Sequence, residues 1–235
     1  PPLYALLGIS NDGSIDMIEF VDALKKVLNF YSVILIGGDT TSSKKGVFLS
    51  LTIIGHKNSN LLRRSGAKIG DLVYLSRPVG LSKVSLEKEL GVNCFDIDAT
   101  YHYKQVAEVS LGSLLGKIIG ITSCIDISDG LGRDIGHIAD ASKVCVILDE
   151  AKIDLSHLNR FNLDDPLRYF LSSGEEYALV FTVDGKFKDI VEHELQKFLS
   201  VIQIGEVVEG EGVYLKTKNG VLYNISNFGY EHTTG

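Results

Sequence analysis

The stretch Ile125-Asp126-Ile127-Ser128-Asp129-Gly130-Leu131 decides how the chain is read. Ile125 and Ile127 alternate with Asp126 and Ser128, the period-2 pattern of a strand with one apolar face. Asp129-Gly130 interrupts that pattern. Leu131, Ile135, Ile138, Ala139 and Ser142 then recur at helical spacing. The spacing predicts a strand running into a helix, with Asp129 as the helix N-cap and Asp126 and Ser128 at the strand's carboxyl end. In open α/β sheets, ligands bind at that end. Two carboxylates this close repel each other unless a cation or proton intervenes. An all-oxygen set of this kind suits Mg²⁺. A capping Asp beside a surface Asp accounts for the same letters without a metal.

Upstream, Ser32-Val33-Ile34-Leu35-Ile36 is an apolar run long enough for one buried strand, and it ends in Gly37-Gly38-Asp39-Thr40-Thr41. Paired glycines let backbone approach a ligand closely and present N–H groups to phosphate oxygens. Asp39 adds a third carboxylate, and Thr40 and Thr41 add hydroxyls. No Gly-Lys-Ser/Thr follows, so this is not a Walker A loop. The same letters also read as a Gly-Gly-Asp turn before a strand at 47–54. Arg63-Arg64-Ser65-Gly66-Ala67-Lys68-Ile69-Gly70-Asp71 precedes the strand Leu72–Leu75. It is either a phosphate-binding segment, Arg with its planar fork and Lys as a point charge, or a solvated basic loop. Ser172-Ser173-Gly174-Glu175-Glu176-Tyr177 reads as a polar turn entering a strand at 178–181.

Composition narrows the classes. The chain has 235 residues, 45% hydrophobic and 23% charged, ordinary for a soluble globular protein with a sizeable core. No apolar run approaches the roughly 18 residues of a membrane span, and the first residues form no basic n-region, so neither membrane nor signal peptide is expected. Net charge is −7 with no long basic run, which argues against nucleic acid. Small phosphorylated ligands remain open, because metals bridge acids to phosphates. Cys94, Cys124 and Cys145 are widely spaced and form no Cys-x-x-Cys pair, so zinc is not expected. Three free thiols suit a reducing cytoplasm.

Periodicity predicts strands at 3–9, 33–36, 47–55, 72–75, 124–127, 144–148, 178–183, 201–208, 212–217 and 221–225. It predicts helices at 14–30, 81–90, 104–119, after Asp129 and at 186–199, with short helical turns at 155–158 and 166–170. Lys218-Asn219-Gly220 predicts a hairpin turn. His137 and His232 read as a helix-face and a tail residue.

Taken in order, Gly37–Thr41, Arg64–Asp71, Asp126–Leu131, Ser173–Tyr177 and Gly229-Tyr230-Glu231-His232 resemble the thiamine-monophosphate kinase family. That family belongs to the superfamily of aminoimidazole ribonucleotide synthetase. The resemblance runs nearly end to end, beginning about the middle of the family's first domain, so that the family's N-terminal third is expected to be missing. It implies an α/β (α+β) fold of two mixed domains of the aminoimidazole ribonucleotide synthetase-like type, the first truncated. Residues 1–62 would be the remainder of an N-terminal ATP-binding and dimerisation domain, and residues 63–235 a C-terminal α/β domain.

The activity implied is ATP-dependent phosphorylation of thiamine monophosphate to thiamine diphosphate by direct in-line transfer, with no protein nucleophile. By match to the family, Asp39, Asp126 and Asp129 would hold Mg²⁺. Gly38, Arg64 and Ser128 would meet ATP, and Glu175 and Tyr230 the thiamine monophosphate. A homodimer through strands of the first domain is also implied. The chain departs from the family at the Pro-Arg pair expected near residues 101–111 and the Gly-Asp-Ser-Ala-Ala run expected near 79–82. It departs also at Glu176, the second acid of its Gly-Glu-Glu, and at Thr233, where the family usually has Phe. Another ATP-using enzyme of the superfamily, or a non-catalytic remnant that binds nucleotide or dimerises, remains open.

Overall fold

Residues 1–57, 60–198 and 201–231 are described by the computed structural model. Ser59, Leu199, His232 and Thr233, on which expectations fall, lie outside the described residues. Two units result, Pro1–Asn60 and Leu61–Gly235.

In the first unit, β1 (Pro2–Asn11) leads through α1 (Met17–Phe30) to β2 (Ile34–Ser42) and β3 (Phe48–Gly55). β1 lies in the middle, parallel to β2 and antiparallel to β3. Ala5, Leu28 and Val33 form its small buried core. The helix begins later than residue 14 because Asn11 and Asp12 draw the N–H groups of Gly13, Ser14 and Ile15 into local side-chain bonds. Asp16 then caps the helix by accepting from Ile18 and Glu19.

The Gly37–Thr41 segment is not a turn. It continues β2, with Gly38 opposite Leu7 and Asp39 opposite Gly8. Nor is the preceding run buried: Ile34, Leu35 and Ile36 are exposed. A Cβ at Gly38 would collide with the Leu7 carbonyl, so this glycine is what lets the two strands meet.

The second unit comprises β4 (Asp71–Leu75), α2 (Leu81–Glu89), α3 (Thr100–Tyr103), α4 (Val109–Leu115), β5 (Ile121–Asp126), α5 (Leu131–Ser142), β6 (Cys145–Asp149), α6 (Ser156–Asn159), α7 (Pro166–Ser172), β7 (Leu179–Asp184), α8 (Lys188–Leu195), β8 (Ile202–Val208), β9 (Gly212–Lys216) and β10 (Leu222–Asn224). Its seven-stranded sheet has the order β10-β9-β6-β8-β4-β7-β5, antiparallel except between β6 and β9. Strand alternation sorts side chains to two faces. Val73 and Leu75 of β4 join a core with Leu131, Ile135 and Ile138 of α5 and Phe170 of α7. Tyr74 and Phe181 stack in a second core, at 5.7 Å, with Leu111 and Leu115 of α4 and Val191 of α8.

The helix expected over 104–119 is cut down to α4, and α3 is a separate short helix just before that span. Arg77 takes hold of the chain between them, donating to Gln105 Oε1 (3.2 Å) and Glu108 Oε1 (3.0 Å), and this tertiary pull overrides local propensity. α8 is also shorter than 186–199, because residues 185–187 form a 3-10 turn first. The Asn-Gly hairpin stands as expected, with Gly220 at φ 83° and β9 and β10 antiparallel.

Candidate functional site

Three backbone segments of the second unit meet at the end of β5. The Ser128 carbonyl accepts from Glu175 N–H (2.8 Å), and the Ile127 carbonyl from Glu176 (3.1 Å) and Tyr177 (2.8 Å). The Asp129 carbonyl accepts from Tyr230 N–H (2.8 Å). Glycine makes this approach feasible. A Cβ on Gly174 would lie 2.7 Å from the Ser128 carbonyl oxygen. Gly130 sits at φ 134°, and a Cβ there would press on Gly229 and Ser172.

Asp129 is not the helix cap. Gly130 occupies that position without a side-chain bond. The capping work is done from inside α5 by Asp134, whose Oδ2 accepts from the N–H groups of Ser128, Asp129 and Gly130, each at 3.0 Å. Asp134 is 1% exposed, and burial raises its pKa above the ordinary carboxylate value. Because Asp134 consumes these three donors, the loop's Ser128 hydroxyl and Asp129 carboxylate are what it can offer a ligand. Ligand-capable atoms of Asp129, Asp134 and His137 also lie within 4.8 Å of one another. His137 thus sits closer to the acids than its helix-face reading suggests.

A cavity of about 850 Å³ opens beside this junction, lined by Ser128, Asp129, Glu175 and Tyr230 among others. Glu175 and Tyr177 both have φ near +50°, at 55° and 50°. The tight turn lets the Tyr177 hydroxyl donate to Glu175 Oε2 (2.6 Å). That bond, with burial and the charges of Glu175, Asp126 and Asp129, pushes the Tyr177 phenol up to about 12.

Four of the eight residues singled out from sequence therefore share one cavity. Asp126 is exposed at the last position of β5 and does not line the cavity, although its charge reaches Tyr177. Arg64 is exposed on a segment tied to β5 and α5 by Cys124 N–H to Arg63 O (2.9 Å) and by Gly66 and Ala67 N–H to Ser142 Oγ. Gly38 and Asp39 lie in β2 of the first unit, Asp39 exposed.

Sequence reasoning missed other walls of the cavity: Ser82 and Lys83 of α2, His102 of α3 and Arg168 of α7. No short motif marks them, since they are brought together by packing. It also missed the use of Glu176. That carboxylate is 1% exposed, and its Oε1 accepts from Gly80 N–H (2.7 Å), Ser82 N–H (3.1 Å) and Ser173 Oγ (2.7 Å). Its Oε2 lies 3.5 Å from Arg77. The only signal in the sequence was a second acid beside Glu175 at a strand entrance.

Residues 68–218 match the family model described as AIR synthase related protein, C-terminal domain. The thiamine-monophosphate kinase of Haemophilus influenzae is 32% identical over 225 residues, covering 91% of this chain and 67% of that protein. That of Buchnera aphidicola subsp. Schizaphis graminum is 31% identical over 243 residues, covering 97% and 74%. Among solved structures, AaThiL complexed with AMPPCP and TMP superposes with a TM-score of 0.81 at 25% identity, covering 98% of this chain and 74% of that one. The two mixed α/β units, the ordered motifs and these matches lead to one assignment: the chain belongs to the AIR synthase-related family and, within it, to the thiamine-monophosphate kinases.

Proposed function

We propose that this protein transfers the γ-phosphoryl group of ATP to thiamine monophosphate, giving thiamine diphosphate and ADP. The observation that carries the reading is the convergence of Ser128, Asp129, Glu175 and Tyr230 on one cavity, in a chain related along nearly its whole length to thiamine-monophosphate kinases. The co-occurrence of AMPPCP and TMP in the AaThiL structure supports the pairing of a nucleotide with thiamine monophosphate.

The donor chemistry fits a hard divalent cation. Asp126 and Asp129 present carboxylate oxygens three residues apart, and Asp126 is exposed. These two acids, and in the first unit Asp39, are assigned to Mg²⁺, which would supply charge neutralisation between two phosphate anions and alignment for in-line displacement. Ser128 would orient phosphate through its hydroxyl, since its own N–H is engaged by Asp134. Gly38 and Arg64 complete the proposed nucleotide contacts. Glu175 places negative charge and Tyr230 an aromatic face toward the cationic thiamine rings. No protein nucleophile is needed. The first unit's exposed Leu51, Ile53 and Phe48 support a homodimer formed through its strands. No helix among the described residues is long and apolar enough to cross a membrane. Cys94, Cys124 and Cys145, all free thiols, suit a reducing compartment, and on that ground we assign the enzyme to the cytoplasm.

The test is ADP release by the intact protein with product analysis. ADP formation that requires thiamine monophosphate, with thiamine diphosphate as product, is expected. ADP formation unaffected by thiamine monophosphate would refute the reading.

A further inference from the structure

The cavity has a second chemical character opposite in sign to Glu175 and Asp129. Lys83 of α2 reaches across to α7, where its Nζ donates to Ser172 Oγ (2.8 Å) and sits 5.4 Å from the centre of the Tyr169 ring. Ser172 lies one helical turn beyond Arg168, and its hydroxyl donates to the Arg168 carbonyl (2.7 Å), so both residues share a face of α7. Lys83, Arg168 and Ser172 all line the cavity, together with Ser82 and His102, whose side chains pair at 2.9 Å.

Neither cation has a carboxylate within 4.0 Å among the described residues. The nearby acids are committed elsewhere. Glu87 Oε2 accepts from the Tyr169 hydroxyl (2.6 Å) and Asn93 Nδ2 (3.2 Å). Asp165 Oδ1 accepts from Arg168 N–H (3.0 Å), capping α7. Burial lowers the Lys83 pKa, with the Glu87 charge opposing that shift and the Arg168 charge adding to it.

We propose that Lys83, Arg168 and Ser172 form an anion subsite of this cavity that takes a phosphoryl group. A lysine held in place by the Ser172 hydroxyl oxygen, with an arginine fork beside it, supplies the charge and the several donors that a tetrahedral oxyanion accepts. The same chemistry is offered by free phosphate and by the phosphate of a ligand seated along Glu175 and Tyr230. That the ligand is thiamine monophosphate rests on the function proposed above; the subsite itself does not.

The test is calorimetric titration of the intact protein in excess chelator without ATP, so that no metal bridges an anion to the acids. Thiamine monophosphate, unphosphorylated thiamine and inorganic phosphate are titrated into wild type and into the Lys83→Gln/Arg168→Gln variant. A loss of at least tenfold in affinity for a phosphate-bearing probe, with thiamine affinity unchanged, is expected. Loss for thiamine monophosphate assigns the subsite to the ligand's own phosphate. Loss for inorganic phosphate alone assigns it to a free anion, and in that case the subsite stands even if the kinase reading fails. Unchanged binding, equal loss for thiamine, or no binding of any phosphate probe to wild type would overturn the proposal. Should the double variant melt early, Arg168→Gln alone, altering an exposed side chain, carries the comparison. Lys83→Arg, which keeps the charge, should retain affinity within about threefold, because a conserved cation still meets the anion.

Discussion

At the residue scale, the carboxylates around the β5 exit divide into those aimed outward and those that build the site. Asp126 and Asp129 face solvent or the cavity, whereas Asp134 and Glu176 are buried and accept from backbone N–H groups. Asp126→Asn or Asp129→Asn should therefore cost roughly a hundredfold or more in turnover while the unfolding midpoint changes little, as read by steady-state rates and urea melts. Activity retained in both would remove them from the metal site. Glu176→Ala should behave in the opposite way. Arg77 keeps Glu108 and Gln105, but the N–H groups of Gly80 and Ser82 lose their buried acceptor, which should destabilise the unit by about 1–3 kcal/mol. Glu176→Gln keeps an acceptor for Gly80 and Ser82 and should cost distinctly less. Asp71 offers a pH test away from the cavity. It is 2% exposed, and burial raises its pKa despite bonds from Lys68 N–H and Thr122. An acid whose folded pKa is raised stabilises the fold when protonated, and that contribution is lost as pH rises through the folded value. Wild-type stability minus that of Asp71→Asn should accordingly fall as pH rises beyond the ordinary carboxylate range. The outward acids were legible in the sequence because motif residues that meet ligands cluster locally. Asp134 and Glu176 were not, because their role is to accept from backbone that folding brings to them.

At the element scale, the strand-to-helix transition at Asp129-Gly130 and the Asn-Gly hairpin were legible because each is decided by neighbours in sequence. The turn reading of Gly37–Thr41 fails for the converse reason. Gly and Asp signal turns locally, but pairing with β1, more than twenty-five residues away, holds them in a strand. The late start of α4 within 104–119 has the same origin in Arg77, which is remote in sequence from Glu108. Gly38→Ala tests the strand assignment. Its Cβ would meet the Leu7 carbonyl, so the first unit should lose about 1–3 kcal/mol or more. Urea unfolding without nucleotide reads this directly. An undiminished midpoint would mean that Gly38 serves a ligand rather than the β1–β2 contact.

At the scale of the whole molecule, the chain comprises a three-stranded unit with exposed apolar strands and a larger unit that carries a cavity of mixed charge. The exposed Ile34, Leu35, Ile36, Phe48 and Leu49 of the first unit predict concentration-dependent association through that sheet. Sedimentation equilibrium should show a dimer that Ile36→Lys weakens, and a monomer at all concentrations would contradict it. Within the second unit, Glu175 and Tyr230 are fifty-five residues apart yet line the same cavity, which is the geometric core of the proposed substrate site. The most direct measurement is ADP release by the intact protein with each substrate varied in turn, for wild type, Glu175→Gln and Tyr230→Ala. The account predicts release that depends on thiamine monophosphate. For Tyr230→Ala it predicts a KM for that substrate raised by roughly 2- to 30-fold, the range of a cation–π contact, with the KM for ATP unchanged. Release that ignores thiamine monophosphate, or variants that raise both KM values equally, would contradict it.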